Sequence, residues 1–381
     1  MYAVYNKVFF DWLKIEQTFE TELPLLGNFG FVGVCLETGQ LQNTVNIPTF
    51  RHQGSFCDVV SIKINGYKLT MSGNPSRWGK LENLFGLTTV DACVNCFNSI
   101  LTELGLPNFT KCTKVFLGQS EDGVKVTKYT DGAIIKELHI TENRAVGKGN
   151  VEHYLSGLAS LNYRNSVARL HSNGQTVDWL SKQGNANLIY PSVYNKAFEL
   201  ELHSLQKIKN KFGEQSSEVK ELLKVINYCK DNGVVRFEQK LKSRYLQREN
   251  LSYYGLSDFS KLYKLNDEFL NIDKKLQVTA MNFETISETL VNQGVVDNYR
   301  SANTTSMYAI QWMHGQVFDL SKRHLQRHRA RLRKIGIDIA YKCDVSTFNP
   351  VKVIEVRQIK TRVLEIPSWY KIPNYHLKLV A

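Results

Sequence analysis

Within Leu188-Ile-Tyr-Pro-Ser-Val-Tyr-Asn-Lys-Ala-Phe-Glu-Leu200 a strand pattern gives way to a helix pattern, and Tyr194 sits at the junction. A strand end holds a phenol rigidly, and Lys196, two residues on, can place a positive charge beside it. A DNA-nicking tyrosine needs this arrangement, because a phenol is a poor nucleophile at its free pKa and requires help from a cation or a metal. Tyr190, four residues earlier, is a second tyrosine that could take part. With 18 tyrosines in the chain, most serving as core or surface, the motif acquires meaning only from its surroundings.

Working outward, the 381 residues suit two or three domains with an ample core. Lys plus Arg number 48 against 36 Asp plus Glu, a net charge of +12, which favours a polyanionic partner such as nucleic acid. A soluble enzyme that is merely basic is the other reading. No run of 18 apolar residues exists, and the first residues lack the basic start and long apolar core of a signal peptide. Seven scattered cysteines do not form a disulfide framework, so the expected setting is a reducing cytoplasm without membrane attachment. Cys93-x-x-Cys96 has no partner pair for zinc. It shares helical spacing with Val90, Val94, Phe97 and Ile100, which makes both thiols core residues.

The first half reads as strands and hairpins punctuated by helices. Val8–Ile15 is the opening strand, and residues 61–70 alternate around a two-residue turn at Asn65-Gly66. Thr88 with Asp91 resembles a capping box, and Gly105 and Pro107 close the helix that it opens. Asp131-Gly132 turns a second hairpin whose return strand is Ala133–Thr141. A helix runs from Asn150 to about Asn162, followed by a strand pair, Thr176–Ser181 and Leu188–Asn195. Val219, Leu222, Leu223 and Ile226 mark a helix face ended by Gly233, and Val234–Leu241 is a further strand. From about Asp267 the chain is mostly helical, with a short β segment at Val351–Ile359. The expected fold class is α+β: an antiparallel sheet flanked by helices over residues 1–265, then a smaller helical, helix-turn-helix-like unit over 266–381.

Four groups of residues beyond the tyrosine motif carry chemistry. On the strand Ala133–Thr141, Ile134, Lys136, Leu138 and Ile140 face one way, while Glu137, His139 and Thr141 face the other. A carboxylate and an imidazole two apart can share a divalent ion, Mg²⁺ or Mn²⁺; a polar solvated face is the alternative. Glu238, in the apolar strand Val-Val-Arg-Phe-Glu, needs a partner if buried, and either a metal or an ion pair with Arg236 would serve. Finally, Ser321–Lys334 holds five arginines, two lysines and two histidines with no acid. Ser321 is its expected N-cap and Leu325, Ala330, Leu332 and Ile335 its buried stripe. With the helix Ser306–Gly315 it could form a helix-turn-helix presenting Arg323, Arg327, Arg329 and Arg331 to DNA. The loop Gly73–Lys80 adds Arg77, Trp78 and Lys80, a mixture suited to single-strand or phosphate contact.

Six segments in order resemble the filamentous-phage replication initiators of the gene II protein type, including the RstA-like proteins. They are Gly73-Asn-Pro-Ser-Arg-Trp78 with Asn83-Leu-Phe-Gly86; Ile135-Lys-Glu-Leu-His-Ile-Thr-Glu-Asn143; Val193-Tyr-Asn-Lys196 with Glu199-Leu200; Val235-Arg-Phe-Glu238 with Leu241-Lys-Ser-Arg-Tyr-Leu246; Leu320-Ser-Lys-Arg323 with Arg327-His-Arg329 and Gly336-Ile-Asp-Ile339; and Ile366-Pro-Ser-Trp-Tyr370. The resemblance implies a metal-dependent nickase and strand-transferase that starts rolling-circle replication at a phage origin in the host bacterial cytoplasm. It places Tyr194 as nucleophile, Lys196 in the same motif, and host helicase and polymerase as partners. It also implies a metal site on the strand where this chain reads Glu137-Leu-His139. The ligand set is then His139, Glu238 and Glu137, since His139 replaces the usual acid and no His-hydrophobic-His pair exists. A DNA-binding repressor or maturation protein without chemistry is the competing function.

Overall fold

The computed structural model describes residues 8–27, 29–119, 126–181, 183–272, 283–313, 315–341, 359 and 361–371. In chain order the strands are β1 (Phe9–Thr18), β2 (Phe31–Val34), β3 (Leu41–Asn46), β4 (Phe50–Gln53), β5 (Val59–Asn65), β6 (Lys68–Gly73), β7 (Val115–Gln119), β8 (Val126–Thr130), β9 (Ile134–Ala145), β10 (Val167–Leu170), β11 (Thr176–Leu180), β12 (Ile189–Asn195), β13 (Val234–Lys242) and β14 (Arg362–Val363). The helices are α1 (Val90–Glu103), α2 (Val151–Leu158), α3 (Lys196–Leu200), α4 (Gln206–Phe212), α5 (Ser217–Asn232), α6 (Ser243–Arg248), α7 (Lys261–Leu270), α8 (Phe283–Asn292), α9 (Tyr299–Met313) and α10 (Arg323–Lys334). Ten strands form one antiparallel sheet in the order β10-β11-β12-β13-β9-β1-β6-β5-β4, with β14 also on β9; β2–β3 and β7–β8 are separate ribbons. The protein is therefore α+β, an antiparallel sheet flanked by helices.

The two faces of the sheet differ. On one, Leu13, Ile15, Ile62, Met71, Ile135, Leu138, Ile140 and Leu241 are buried under α1, α6 and α7. Val177, Trp179, Val193, Val235 and Phe237 continue that core under α2 and Phe269 of α7. Each such side chain contributes roughly 1.5–3 kcal/mol by leaving water. The other face is apolar only at one end, where Ala145 and Val234 lie beneath α3, α4 and α5. Its remainder is polar, and the candidate site lies where the helical roof stops.

Several local expectations shift. Asn65 pairs with Lys68, so the first turn is Gly66-Tyr67, with Gly66 at φ 55°. Asp131-Gly132 turns no hairpin: β8 pairs with β7, whereas β9 pairs with β1 and β13. The Asp131 carboxylate instead accepts from the backbone N–H groups of Thr113 and Lys114. A Cβ on Gly132 would lie 2.5 Å from the backbone of Lys111 and Cys112, so the chain crosses itself there. The cap of α1 is Thr89, one residue later than expected, accepting from the Ala92 N–H. Cys93 and Cys96 are buried as small core residues.

Toward the C-terminus, α8, α9 and α10 share a core of Ile286, Leu290, Ala302, Ala309, Trp312, Leu332 and Ile335. The helix expected from Ser306 begins at Tyr299, and nine residues, 314–322, separate it from α10. Lys322, not Ser321, caps α10, and Ala330 is exposed rather than part of the buried stripe. The expected boundary at 265/266 falls inside α7. Residues 351–358 of the expected β segment lie outside the described residues; the short strand found is β14. Among the described residues no helix is long and apolar enough to cross a membrane.

Candidate active site

The junction read in the sequence is present: β12 ends at Asn195 and α3 begins at Lys196. Asn195 caps the helix by accepting from the N–H groups of Ala197 and Phe198. Pro191 has no N–H to give, and pairing with β11 stops one residue short of it, at Ser192. Helix α3 runs on through a π-helical turn, Glu201–Leu205, into α4. Cross-strand pairing sets Tyr194 opposite Arg236, and Ser192 opposite Glu238. Glu238 in turn pairs with Thr141 of β9.

Asp11, which the sequence reading had not singled out, joins His139 and Glu238 in a buried trio whose ligand-type atoms all lie within 4.8 Å of one another. Its position comes from a β-bulge: Phe10 pairs with Ile140 and Trp12 with His139, leaving Asp11 as the extra residue. A regular strand would put Asp11 on the core face with Leu13 and Ile15. The bulge breaks that phase and re-aims Asp11 toward the polar face. A second irregularity, around Lys136, brings Ile135 rather than Lys136 into the core with Leu138.

His139 is held from both sides. Its Nδ1 lies 2.8 Å from Glu238 Oε1 and its Nε2 2.9 Å from Glu137 Oε1, while Trp12 stacks on the ring at 5.8 Å. Burial opposes the imidazolium, but the two carboxylates outweigh it and raise the His139 pKa. Burial also works against Glu238 and Glu137, yet the bonds to His139 hold both down to about 2. Lys240 (3.7 Å) supports Glu238, and Lys242 (2.6 Å) supports Glu137. Asp11 behaves oppositely: burial and the Glu238 charge push its carboxyl up, against the attraction of Arg236. Glu137 thus stands behind His139 and outside the trio.

The ion pair between Arg236 and Glu238, the alternative to a metal at Glu238, does not form among the described residues; Arg236 pairs elsewhere. Arg236 reaches Asp11 Oδ2 at 3.5 Å and donates to Asn143 Oδ1 (2.9 Å), Asn83 Oδ1 (3.2 Å) and the Asn83 carbonyl (2.6 Å). Lys196 is equally buried and donates to Asn83 Oδ1 (3.0 Å) and Glu199 Oε2 (2.5 Å). Burial pushes the Tyr194 phenol well up, with Glu238 and Asp11 adding to the rise, and the cation that opposes it is Arg236. Tyr194's hydroxyl makes no hydrogen bond among the described residues. Tyr190 does: it donates to Asp178 Oδ2 at 2.6 Å, which together with burial raises it to about 12. That carboxylate also holds Arg169 and His171.

The residues expected to touch DNA divide. Arg77 turns inward and donates to Ser204 Oγ in the π-helical turn (3.1 Å). The Lys80 ammonium is buried beside a cavity of about 350 Å³ lined by Glu82, Trp369 and Tyr370, and burial lowers it to about 8. Both are drawn in because the loop is pinned by the Asp58 carboxylate, which accepts from the Gly79 N–H. In α10, Arg329 forks onto Asp338 at 2.6 and 3.0 Å, whereas Arg323 and Arg327 are exposed and Arg331 half-buried.

Two hard carboxylates and one imidazole suit Mg²⁺ or Mn²⁺ by donor type. Asp11, raised by burial and by a neighbouring like charge, marks where added positive charge would be welcome.

Residues 9–260 match the N-terminal model, and residues 290–376 the C-terminal model, of the phage replication-associated protein encoded by gene II. The chain is 63% identical over 321 residues to the replication-associated protein of that type from Escherichia phage If1, covering 84% of this chain and 99% of that protein. No solved structure matches. The chain belongs to this replication-associated protein family, the gene II replication initiators of filamentous phages.

Proposed function

We propose that this initiator opens rolling-circle replication by nicking one strand of the phage origin with Tyr194 and later resealing it. The observation that carries the reading is that Tyr194 shares one polar sheet face with the trio Asp11, His139 and Glu238, at the edge of the helical roof. The phenol oxygen bonds to the scissile phosphorus while the bond to the 3′ oxygen breaks. The phenol proton leaves to solvent, the 3′ oxygen gains one, and the protein keeps the 5′ phosphate. Retaining the phosphodiester as a phosphotyrosine allows strand transfer without ATP. A host polymerase would then extend the free 3′ hydroxyl while a host helicase unwinds the nicked duplex, in the bacterial cytoplasm.

Asp11, His139 and Glu238 would hold a divalent ion, which supplies Lewis-acid neutralisation of the phosphate's charge. The chain's own residues prepare the rest. Glu137 fixes the His139 ring through Nε2, leaving Nδ1 toward Glu238 and Asp11. Arg236, clamped by Asn83 and Asn143, favours phenolate at Tyr194. Lys196, bonded to Asn83 and Glu199, positions that clamp from the start of α3. The exposed edge of α10, with Arg323 and Arg327, suits duplex phosphates.

The test is a covalent one. Wild-type protein incubated with origin DNA and Mg²⁺ or Mn²⁺ should yield a protein–DNA species that survives SDS, and Tyr194→Phe should lose it while still binding. Nicking without any adduct would mean hydrolysis by water. An adduct retained in Tyr194→Phe and lost in Tyr190→Phe would move the role to Tyr190.

A further inference from the structure

Beyond the roof of α3–α5 the polar face of the sheet stays open, and its register places residues from six strands in one row. Arg51 of β4 pairs with Ser61 of β5, Ser61 with Ser72 of β6, and Ser72 with Lys14 of β1. Lys14 pairs with Glu137 of β9, and Glu137 with Lys242 of β13. Five inter-strand spacings of about 4.8 Å make this row roughly 24 Å long. His139 lies two residues from Glu137 on the same strand, so the row passes about 7 Å from the trio. The chain neighbours of these residues fix the facing: Phe50, Ile62, Met71, Leu13 and Leu138 pack in the core beneath.

The charge pattern of the row is asymmetric. Lys242 and Glu137 neutralise each other next to the trio. Arg51 and Lys14 are exposed and form no ion pair among the described residues, and neither does Lys63, exposed two residues from Ser61 on the same face. Glu16, the nearest acid on β1, is occupied by both Lys68 (3.0 Å) and Lys136 (3.2 Å). The free cations Arg51 and Lys14 therefore flank two hydroxyls, Ser61 and Ser72, along a line that runs on past the trio. Cations and hydroxyls at strand spacing, without acids between them, suit a chain of phosphates.

We infer that the row Arg51–Ser61–Ser72–Lys14 is a single-stranded DNA track that feeds one flank of the scissile strand into the site. This rests on the nicking reading for its direction, but not for its existence as a binding surface. An open, broad sheet face can follow one strand, whereas α10 offers a convex helix to a duplex. The single-strand contact expected of Arg77 and Lys80 is thus supplied by strand residues that no motif marked.

The experiment measures binding of a fluorescent oligothymidylate and of a duplex by the full chain, by anisotropy across a salt series. The variant is Arg51→Glu with Lys14→Glu. Both positions are exposed, so circular dichroism and the melting midpoint should match wild type; should the charge reversals unfold the chain, Arg51→Gln with Lys14→Gln replaces them. The track predicts at least tenfold weaker oligothymidylate binding at low salt. It also predicts a salt slope shallower by about 1.4, since each single-strand phosphate contact contributes about 0.7. Duplex affinity should stay within twofold. Unchanged oligothymidylate affinity and slope in a folded variant overturn the track, as does a loss confined to duplex. The SDS-stable adduct is scored separately: its absence from wild type sinks the tyrosine mechanism while leaving the binding result to stand on its own.

Discussion

Asp11→Asn isolates the electrostatics of the trio. In the metal-free protein Asp11 is repelled by Glu238 and attracted by Arg236. With an effective dielectric near 20, like charges no farther apart than the trio's 4.8 Å limit cost at least about 3.5 kcal/mol, and the Arg236 contact at 3.5 Å returns about 4.7 kcal/mol. These nearly cancel, and burial of the charge then tips the balance against ionisation, as the raised pKa of Asp11 shows. Replacing the carboxylate by an amide of the same shape should therefore leave metal-free stability unchanged within about 1 kcal/mol. Metal linkage should change much more. A ligand at a hundred times its dissociation constant stabilises the folded state by about 2.7 kcal/mol, and a hundredfold weaker site gives only about 0.4 kcal/mol. At about 2 °C per kcal/mol for a large domain, Mn²⁺ should raise the wild-type midpoint by about 5 °C and that of Asp11→Asn by about 1 °C. Scanning fluorimetry with and without Mn²⁺ reads both quantities, and adduct formation should fall at least a hundredfold. A full Mn²⁺ shift in the variant would remove Asp11 from the ligand set. Collapse of the metal-free protein would show that Asp11 serves Arg236 structurally.

Two other outcomes follow from the same geometry. Since His139's pKa is raised, its protonated contribution is complete below about 6.5 and is lost as pH climbs through the folded value. Glu137 and Glu238, held near 2, contribute above about 4.5 and fail only as pH falls toward 2. Mn²⁺ must displace the His139 proton, so its apparent affinity should tighten about tenfold per pH unit while that proton is bound; a flat profile by calorimetry would count against His139 as a ligand. In α10, changing Arg323, Arg327 and Arg331 together to Ala should make the salt slope of duplex binding shallower by about 2.7, with the SDS-stable adduct on a single-stranded origin fragment retained. An unchanged slope would leave α10 a solvated surface.

The parts of the site that follow local rules were legible. Alternation followed by helix formers placed Tyr194 at a strand end, and the acid-free run ending at Lys334 is the helix it resembled. Asp11 was hidden because a bulge breaks the period on which strand reading depends; the cue was Phe9-Phe-Asp-Trp-Leu, in which no single alternation buries Phe10 together with Leu13. Arg236 was visible, with an ion pair to Glu238 as one of two readings, but its bonds to Asn83 and Asn143 span 153 and 93 residues. Contacts of that range leave no mark in spacing. Arg77 and Lys80 looked like surface cations because their loop is rich in turn residues, while the Asp58 carboxylate that draws the loop in lies 21 residues before Gly79.

The long-range bonds also tie the two family segments to each other. Arg236 can act on Tyr194 only while Asn83 and Leu84 keep their carbonyls on its guanidinium. That loop is fastened from the far end of the sequence. The Phe85 N–H donates to the Tyr370 hydroxyl at 3.2 Å, and Tyr370 packs edge-on against the Phe85 ring. The segment carrying Tyr370 is itself anchored by β14 on β9, by buried Leu364, and by Tyr228 of α5 donating to the Glu365 carbonyl. Residues 362–370 belong to the C-terminal family match, yet they finish the N-terminal sheet and brace the loop that carries Asn83 and Phe85. A chain cut after α7 would keep every residue of the trio and Tyr194, and would lose the fastening that holds the opposing cation in place.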